Sequence, residues 1–211
     1  MPLSNRAKAF LQKSKRDNLS ITEQDIRKAF INNKALIFES LIHFQLTFGG
    51  YIFYAGLEPI KFSLLKSAGG YPKSTNTCVI EFEKSDLPSP KYFFDCTSTN
   101  YQMQFFLDEN GAYYEDYEAK ASSFEKLIEH LALWDEISRQ KAYKILFRNK
   151  SLKTESVDKL LNLAFLPEAS DQYTLWFKNE FIYMEQWQGL TTLIASEKFP
   201  DKNLLLTLES V

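Results

Sequence analysis

The chain has 211 residues, 45% apolar and 25% charged, which fits a globular core in one large domain or a domain with a substantial extension. A formal charge of −2 argues against nucleic acid as the main partner, because phosphate binding needs a basic face. The longest apolar run is too short to cross a bilayer, so no membrane-spanning helix is expected.

Residues 4–16 read as a short helix carrying Arg6, Lys8, Lys13, Lys15 and Arg16, with no acid before Asp17. This stretch lacks the apolar centre of a signal peptide, so it reads as a solvated helix rather than an address. Thr22, with Asp25 three residues on, offers a second helix start, and Glu23 and Asp25 suit its positive end. From Lys34 the spacing of Ile37, Leu41, Phe44 and Phe48 predicts a helix, stopped by Gly49-Gly50. Strand-like runs occupy 51–54, 60–65, 77–82, 92–96, 102–107 and 112–117, with loops at 67–72 and 85–90. Cys78 and Cys96 fall in separate strand-like runs. Without a secretory signal they read as buried reduced thiols, and the protein as cytoplasmic. The 18 Phe, 11 Tyr and 3 Trp supply a large buried area for a β-rich core, and some of the Tyr and Trp are candidates for a binding surface.

Asp108-Glu109-Asn110-Gly111 joins two strand-like runs, and Asn-Gly is the strongest short-range hairpin signal because a tight turn needs positive φ. Ser122-x-x-Glu125 then reads as a capping box that opens a helix. Its apolar stripe is Phe124, Leu127, Ile128, Leu131, Trp134 and Ile137, and Ile145 and Leu146 extend the pattern to about Phe147. A further helix is expected over 155–165, closed by Leu166-Pro167. Strands are expected over 173–178, 181–187, 191–195 and 204–208, with a turn at Asn179-Glu180.

Little in the sequence carries catalytic chemistry. His43 and His130 both fall in expected helices without a third ligand at zinc spacing, and the cysteines form no CxxC pair, so no metal is expected. There is no GxSxG elbow, and neither Gly49-Gly50 nor Gly69-Gly70 belongs to a phosphate loop, so no cofactor is expected. A serine–histidine or cysteine–histidine pair meets only in space and stays open. The acids Asp108, Glu109, Glu115, Asp116 and Glu118 cluster about the hairpin, interleaved with Tyr113, Tyr114 and Tyr117. Three roles fit such a cluster: a carboxylate pair for glycoside hydrolysis or calcium, a solvated edge, or a docking face for a basic protein. The tyrosines favour the docking face, because they offer interface area with a polar tip.

The order of parts carries a resemblance. A helix ending in FQLTFGGYIFY, several strands, then FFLDENGAYY and the helix SSFEKLIEHLAL resemble the SUKH superfamily over about residues 20–137. That family includes bacterial immunity proteins and a fungal cell-wall-regulator domain. Gly49 and Gly50 match its glycine-rich helix end, and Asp108, Asn110 and Gly111 match its Asp-x-x-Gly turn. The resemblance implies a non-catalytic inhibitor that occludes a toxin, often a nuclease, in the producing cell. A basic toxin would be steered by an acidic aromatic face, here Asp108, Glu109, Tyr113, Tyr114, Glu115, Asp116 and Tyr117. The alternatives are a regulatory scaffold that binds endogenous proteins and a carboxylate-dependent hydrolase. The expected fold is α+β, a mainly antiparallel sheet flanked by helices, with a SUKH-like domain over 1–150 and a helix-plus-strand extension over 151–211. Oligomeric state is not legible.

Overall fold

The computed structural model describes residues 2–17, 21–54, 59–66, 78–98, 103–151, 161–201 and 203–204. Its helices are α1 (Asn5–Lys13), α2 (Glu23–Asn32), α3 (Glu39–Phe48) and α4 (Phe124–Arg139). The strands are β1 (Lys15–Arg16), β2 (Tyr51–Tyr54), β3 (Pro59–Lys61), β4 (Phe82–Lys84), β5 (Tyr92–Asp95), β6 (Phe105–Asp108) and β7 (Tyr113–Glu115). They continue as β8 (Glu118–Ala121), β9 (Tyr143–Ser151), β10 (Ala164–Phe165), β11 (Thr174–Lys178), β12 (Ile182–Trp187) and β13 (Leu190–Ser196). They form three antiparallel sheets, ordered β1-β2-β3, β4-β5-β6-β7-β8 and β10-β11-β12-β13-β9, so the fold is α+β.

The chain divides into two units: Ala9–Phe124, and Met1–Lys8 together with Glu125–Val211. The expected division at residue 150 falls inside β9. That strand pairs with β13 and so shares a sheet with the tail.

In the Ala9–Phe124 unit, Thr22 caps α2 as expected, and the Asp25 carboxylate accepts from the Thr22 amide in return. Arg16 closes the other end of α3, donating from Nε to the Gly49 carbonyl (3.1 Å) and from Nη2 to the Leu46 carbonyl (2.9 Å). This explains part of the basic N-terminal run. Strand register places Phe82, Phe94, Leu107, Tyr113 and Ala121 on one face of the five-stranded sheet. Phe94 meets Phe30 and Phe38 of the α2–α3 layer at 6.0 and 5.9 Å. Phe124 lies 4.6–5.1 Å from Phe44, Phe48 and Phe62, so rings fill the centre of this unit.

In the second unit, α4 packs Leu133 and Ile137 against Trp176, Tyr183 and Ile194 on one face of the sheet. The other face buries Phe147, Ile182, Met184, Leu193 and Phe199. Along the expected α4 stripe, Leu127, Ile128 and Ile137 are buried, while Leu131 and Trp134 are half-buried.

Several expectations need correction, among them the strand expected over 77–82, which is found at Phe82–Lys84. The helix begins at Glu39 rather than Lys34, and Ile37 is exposed. The last long helix ends at Arg139, and residues 143–151 are the edge strand β9, with Ile145 opposite Ile194 and Phe147 opposite Leu193. Most of the 155–165 helix lies outside the described residues, and its end is the strand Ala164–Phe165. Of the 204–208 strand only Leu204 is described, and it is helical. Strand β8 was not expected, and neither was β1, whose Lys15–Arg16 fall within the expected 4–16 helix.

Candidate functional site

The β6–β7 hairpin forms as expected, with Gly111 at φ +88° and its N–H donating to the Asp108 carbonyl at 3.0 Å. Asp108 does not face the solvent: it is 4% exposed. Its Oδ1 accepts from the Asn110 and Ala112 amides (2.8 and 2.9 Å), and its Oδ2 accepts from the Tyr114 hydroxyl (3.3 Å). Burial pushes its carboxyl above the usual range, against the pull of those hydrogen bonds. The Glu109 carboxylate accepts from the Lys91 amide (2.9 Å) and the Tyr92 amide (3.0 Å), fastening the start of β5 to the turn. Burial alone would raise its pKa, but these amides hold it below the ordinary value.

Tyr113 is fully buried, and its hydroxyl donates to Glu115 at 3.3 Å. Burial, reinforced by the Glu115 charge, lifts its pKa well above the usual value. Tyr114 is also buried, edge-on to Phe93 at 5.1 Å. The Glu115 carboxyl is half-buried and raised by burial, with Lys120 at 3.9 Å. The seven residues therefore do not make one exposed face. Asp108, Tyr113 and Tyr114 hold the hairpin together from inside, and Glu109 and Glu115 are engaged within it.

Asp116 and Tyr117 do reach the surface. They form a two-residue turn between β7 and β8 at φ +45° and +68°, the left-handed pair that such a hairpin requires. Asp116 is bound to Gln104 twice: its N–H donates to the Gln104 carbonyl (2.9 Å), and its Oδ1 accepts from the Gln104 amide (2.8 Å). Tyr117 is 46% exposed, and its ring rests 4.8 Å from Phe106 and 5.3 Å from Phe93. Its hydroxyl bonds to Glu83, which pushes its pKa up to about 12.

Glu83 was not singled out from the sequence. It stands opposite Phe93 on the edge strand β4, whose three residues are all exposed. Together with exposed Glu118, Glu83, Asp116 and Tyr117 make an acidic rim around one half-exposed ring. The exposed Phe82 adjoins Glu83 in the strand. The alternation of acid and ring in the stretch Glu81-Phe82-Glu83-Lys84 was the available signal.

A second charged group lies on the same sheet. The largely buried Lys66 ammonium bonds to Glu81 and Asp95, both at 2.7 Å. Burial would lower its pKa, but the two carboxylates outweigh that and raise it. Asp95 also accepts from the Thr97 amide and hydroxyl (2.9 and 2.8 Å). Both acids are bound to the one ammonium that lies between them.

His43 is exposed on α3 and His130 is buried on α4. Neither Cys78 nor Cys96 forms a disulfide, and both are buried. Among the described residues no group of three or more His, Cys, Asp or Glu side chains could hold a metal, and no helix is long and apolar enough to cross a membrane. No family model, no curated protein and no solved structure matches the chain.

Proposed function

We propose that this protein is a non-catalytic, cytoplasmic immunity-type binding protein, as the SUKH resemblance implies, and that it occludes a basic protein partner such as a toxin nuclease. The observation that carries this reading is Tyr117. Its half-exposed ring is pinned by Phe93, Phe106 and Glu83 at the tip of a hairpin, and acids surround it. An aromatic group already fixed in place loses little freedom on binding, which is the property of an interface anchor. The surrounding Glu83, Asp116 and Glu118 supply the field that steers a cationic partner. The contact surface is therefore narrower than the whole hairpin and is extended by β4.

The test is calorimetric titration against the protein encoded by the neighbouring gene. Reversing Glu83 and Glu118 to lysine should weaken binding by about tenfold or more and flatten or reverse its loss with salt, because long-range attraction is replaced by repulsion, which salt screens. Both positions are exposed, so the melting temperature should hardly move. Unchanged affinity in the reversed variant would remove the rim from the interface. The absence of any protein partner would remove the function.

A further inference from the structure

We propose that the outer edge of β9 is a second docking surface, which accepts an extended acidic segment of a partner protein as an added strand. This inference is independent of the Tyr117 rim. β9 lies at the end of its sheet, and among the described residues no strand pairs with its outer side. Local hydrogen bonds show which way its backbone points. The Glu197 N–H donates to the Ala142 carbonyl at 2.7 Å, whereas the Ser196 N–H turns away from β9 to the Phe181 carbonyl, also at 2.7 Å. Backbone direction alternates along a strand, so Tyr143 and Ile145 direct their amide groups outward. The Tyr143 N–H is taken by the Gln140 carbonyl at 2.9 Å. Ile145, 39% exposed, is the first residue to offer both an N–H and a C=O to an incoming strand.

Charge selects the occupant. Residues 139–150 hold five Lys and Arg and no acid. Arg139 is paired with Asp135 and Lys144 with Glu197; of the other three, Lys141 and Arg148 are exposed on either side of Ile145, with the Arg148 guanidinium 5.9 Å from the Trp134 ring. Charges along an edge usually guard against pairing with another edge. Here they are of one sign, so they repel a second copy of the same strand and attract an acidic one. A phosphate backbone would satisfy the cations, but it only accepts hydrogen bonds and would leave the outward carbonyl of Ile145 without a donor. A peptide strand supplies both donor and acceptor.

The probe is a short peptide of alternating glutamate and threonine, added to the full chain while amide hydrogen exchange is followed at Ile145. The peptide should slow exchange there at concentrations of about 1 mM or below, the range of a weak strand addition. Lys141→Glu with Arg148→Glu should weaken binding by about tenfold or more. Ile145→Pro should abolish binding while leaving circular dichroism unchanged, because that N–H lies outside the β9–β13 ladder. Should Ile145→Pro fail to fold, the charge-reversed variant and the wild-type exchange data still decide the matter. The idea is overturned by any one of four results: no slowing at about 1 mM peptide, equal slowing by a lysine–threonine peptide, slowing by single-stranded oligothymidylate instead, or an Ile145 amide already protected because the free chain self-associates.

Discussion

Asp108 accepts all three of its side-chain hydrogen bonds from within its own hairpin, two of them from backbone amides that nothing else in the turn reaches. Asp108→Ala leaves both amides unpaired, at about 1–3 kcal/mol each, so unfolding in urea should show a loss of about 2–5 kcal/mol. Burial already disfavours the charged carboxylate, so the neutral Asp108→Asn, which keeps one acceptor oxygen, should cost clearly less. Equal losses would mean that the charge itself is required. His130 makes a different prediction. Burial, helped by the charges of Lys126 and Arg6 and opposed by Asp171 and the Ala169 carbonyl, lowers its pKa from 6.5 to about 4. A folded-state pKa below the unfolded one favours the neutral ring, so its contribution is complete above about pH 6.5 and is lost as pH falls toward 4. The difference is on the order of 3 kcal/mol. His130→Gln keeps a donor for the Ala169 carbonyl and removes the titration, so its stability should fall less than that of the wild type between pH 7.5 and pH 4. Parallel curves would sink this account.

At the scale of elements, the β6–β7 turn and the start of α3 depend on one another. The Ser40 hydroxyl donates to the Glu109 carbonyl at 2.8 Å, and a Cβ added at Gly111 would stand 3.2 Å from the Ser40 Cβ. Gly111→Ala therefore meets both a positive φ and a close neighbour, and should lower the unfolding free energy by about 1–2 kcal/mol from the backbone term alone. A neutral result would mean that the turn can relax. The Asp108–Gly111 turn and the Thr22–Asp25 cap were both legible, because each is set by residues within four positions of one another. The β7–β8 turn is not: Asp116-Tyr117 takes the left-handed pair without the Asn or Gly that announces it, so the strand expected over 112–117 runs through the turn and β8 goes unassigned. The end of α4 was also obscured, since adjacent Ile145 and Leu146 suit either a helix or a strand, and only pairing with β13 decides between them. The site suffered the same ambiguity. Tyr113, Tyr114 and Tyr117 are alike in sequence, yet two of them are buried by partners that the chain brings from far away.

At the scale of the molecule, a division made by chain order alone groups the first residues with their immediate successors, whereas Met1–Lys8 belongs with Glu125–Val211. The reason is local and chemical. Glu129, 4% exposed on α4, accepts from the Ser4 amide at 2.6 Å and from the Ser4 hydroxyl at 2.7 Å. The same hydroxyl accepts from the Ala7 amide at 3.1 Å, so Ser4 caps α1 while it is held by the carboxylate. Arg6 adds a longer contact to Glu129 at 3.5 Å and reaches Glu136 and Glu168 at 3.8 and 3.7 Å. A buried carboxylate that serves a helix start in this way suits the positive end of α1. Removing it by Glu129→Ala leaves Ser4 unsatisfied and Arg6 without its most buried partner. The expected loss is about 2–5 kcal/mol, from the two charged hydrogen bonds to Ser4 and the weakened pairing of Arg6, which keeps only Glu136 and Glu168. Glu129→Gln keeps an acceptor for Ser4 and should lose less. Native-state hydrogen exchange distinguishes this from a general weakening. In Glu129→Ala the amides of Trp176, Met184 and Ile194, in the sheet beside α4, should exchange faster, whereas in Asp108→Ala the acceleration should fall on Phe93, Phe106 and Tyr114. If Glu129→Ala left the first three amides at wild-type rates, the N-terminal residues would be a passive tail, and the grouping of the chain ends would have no energetic content.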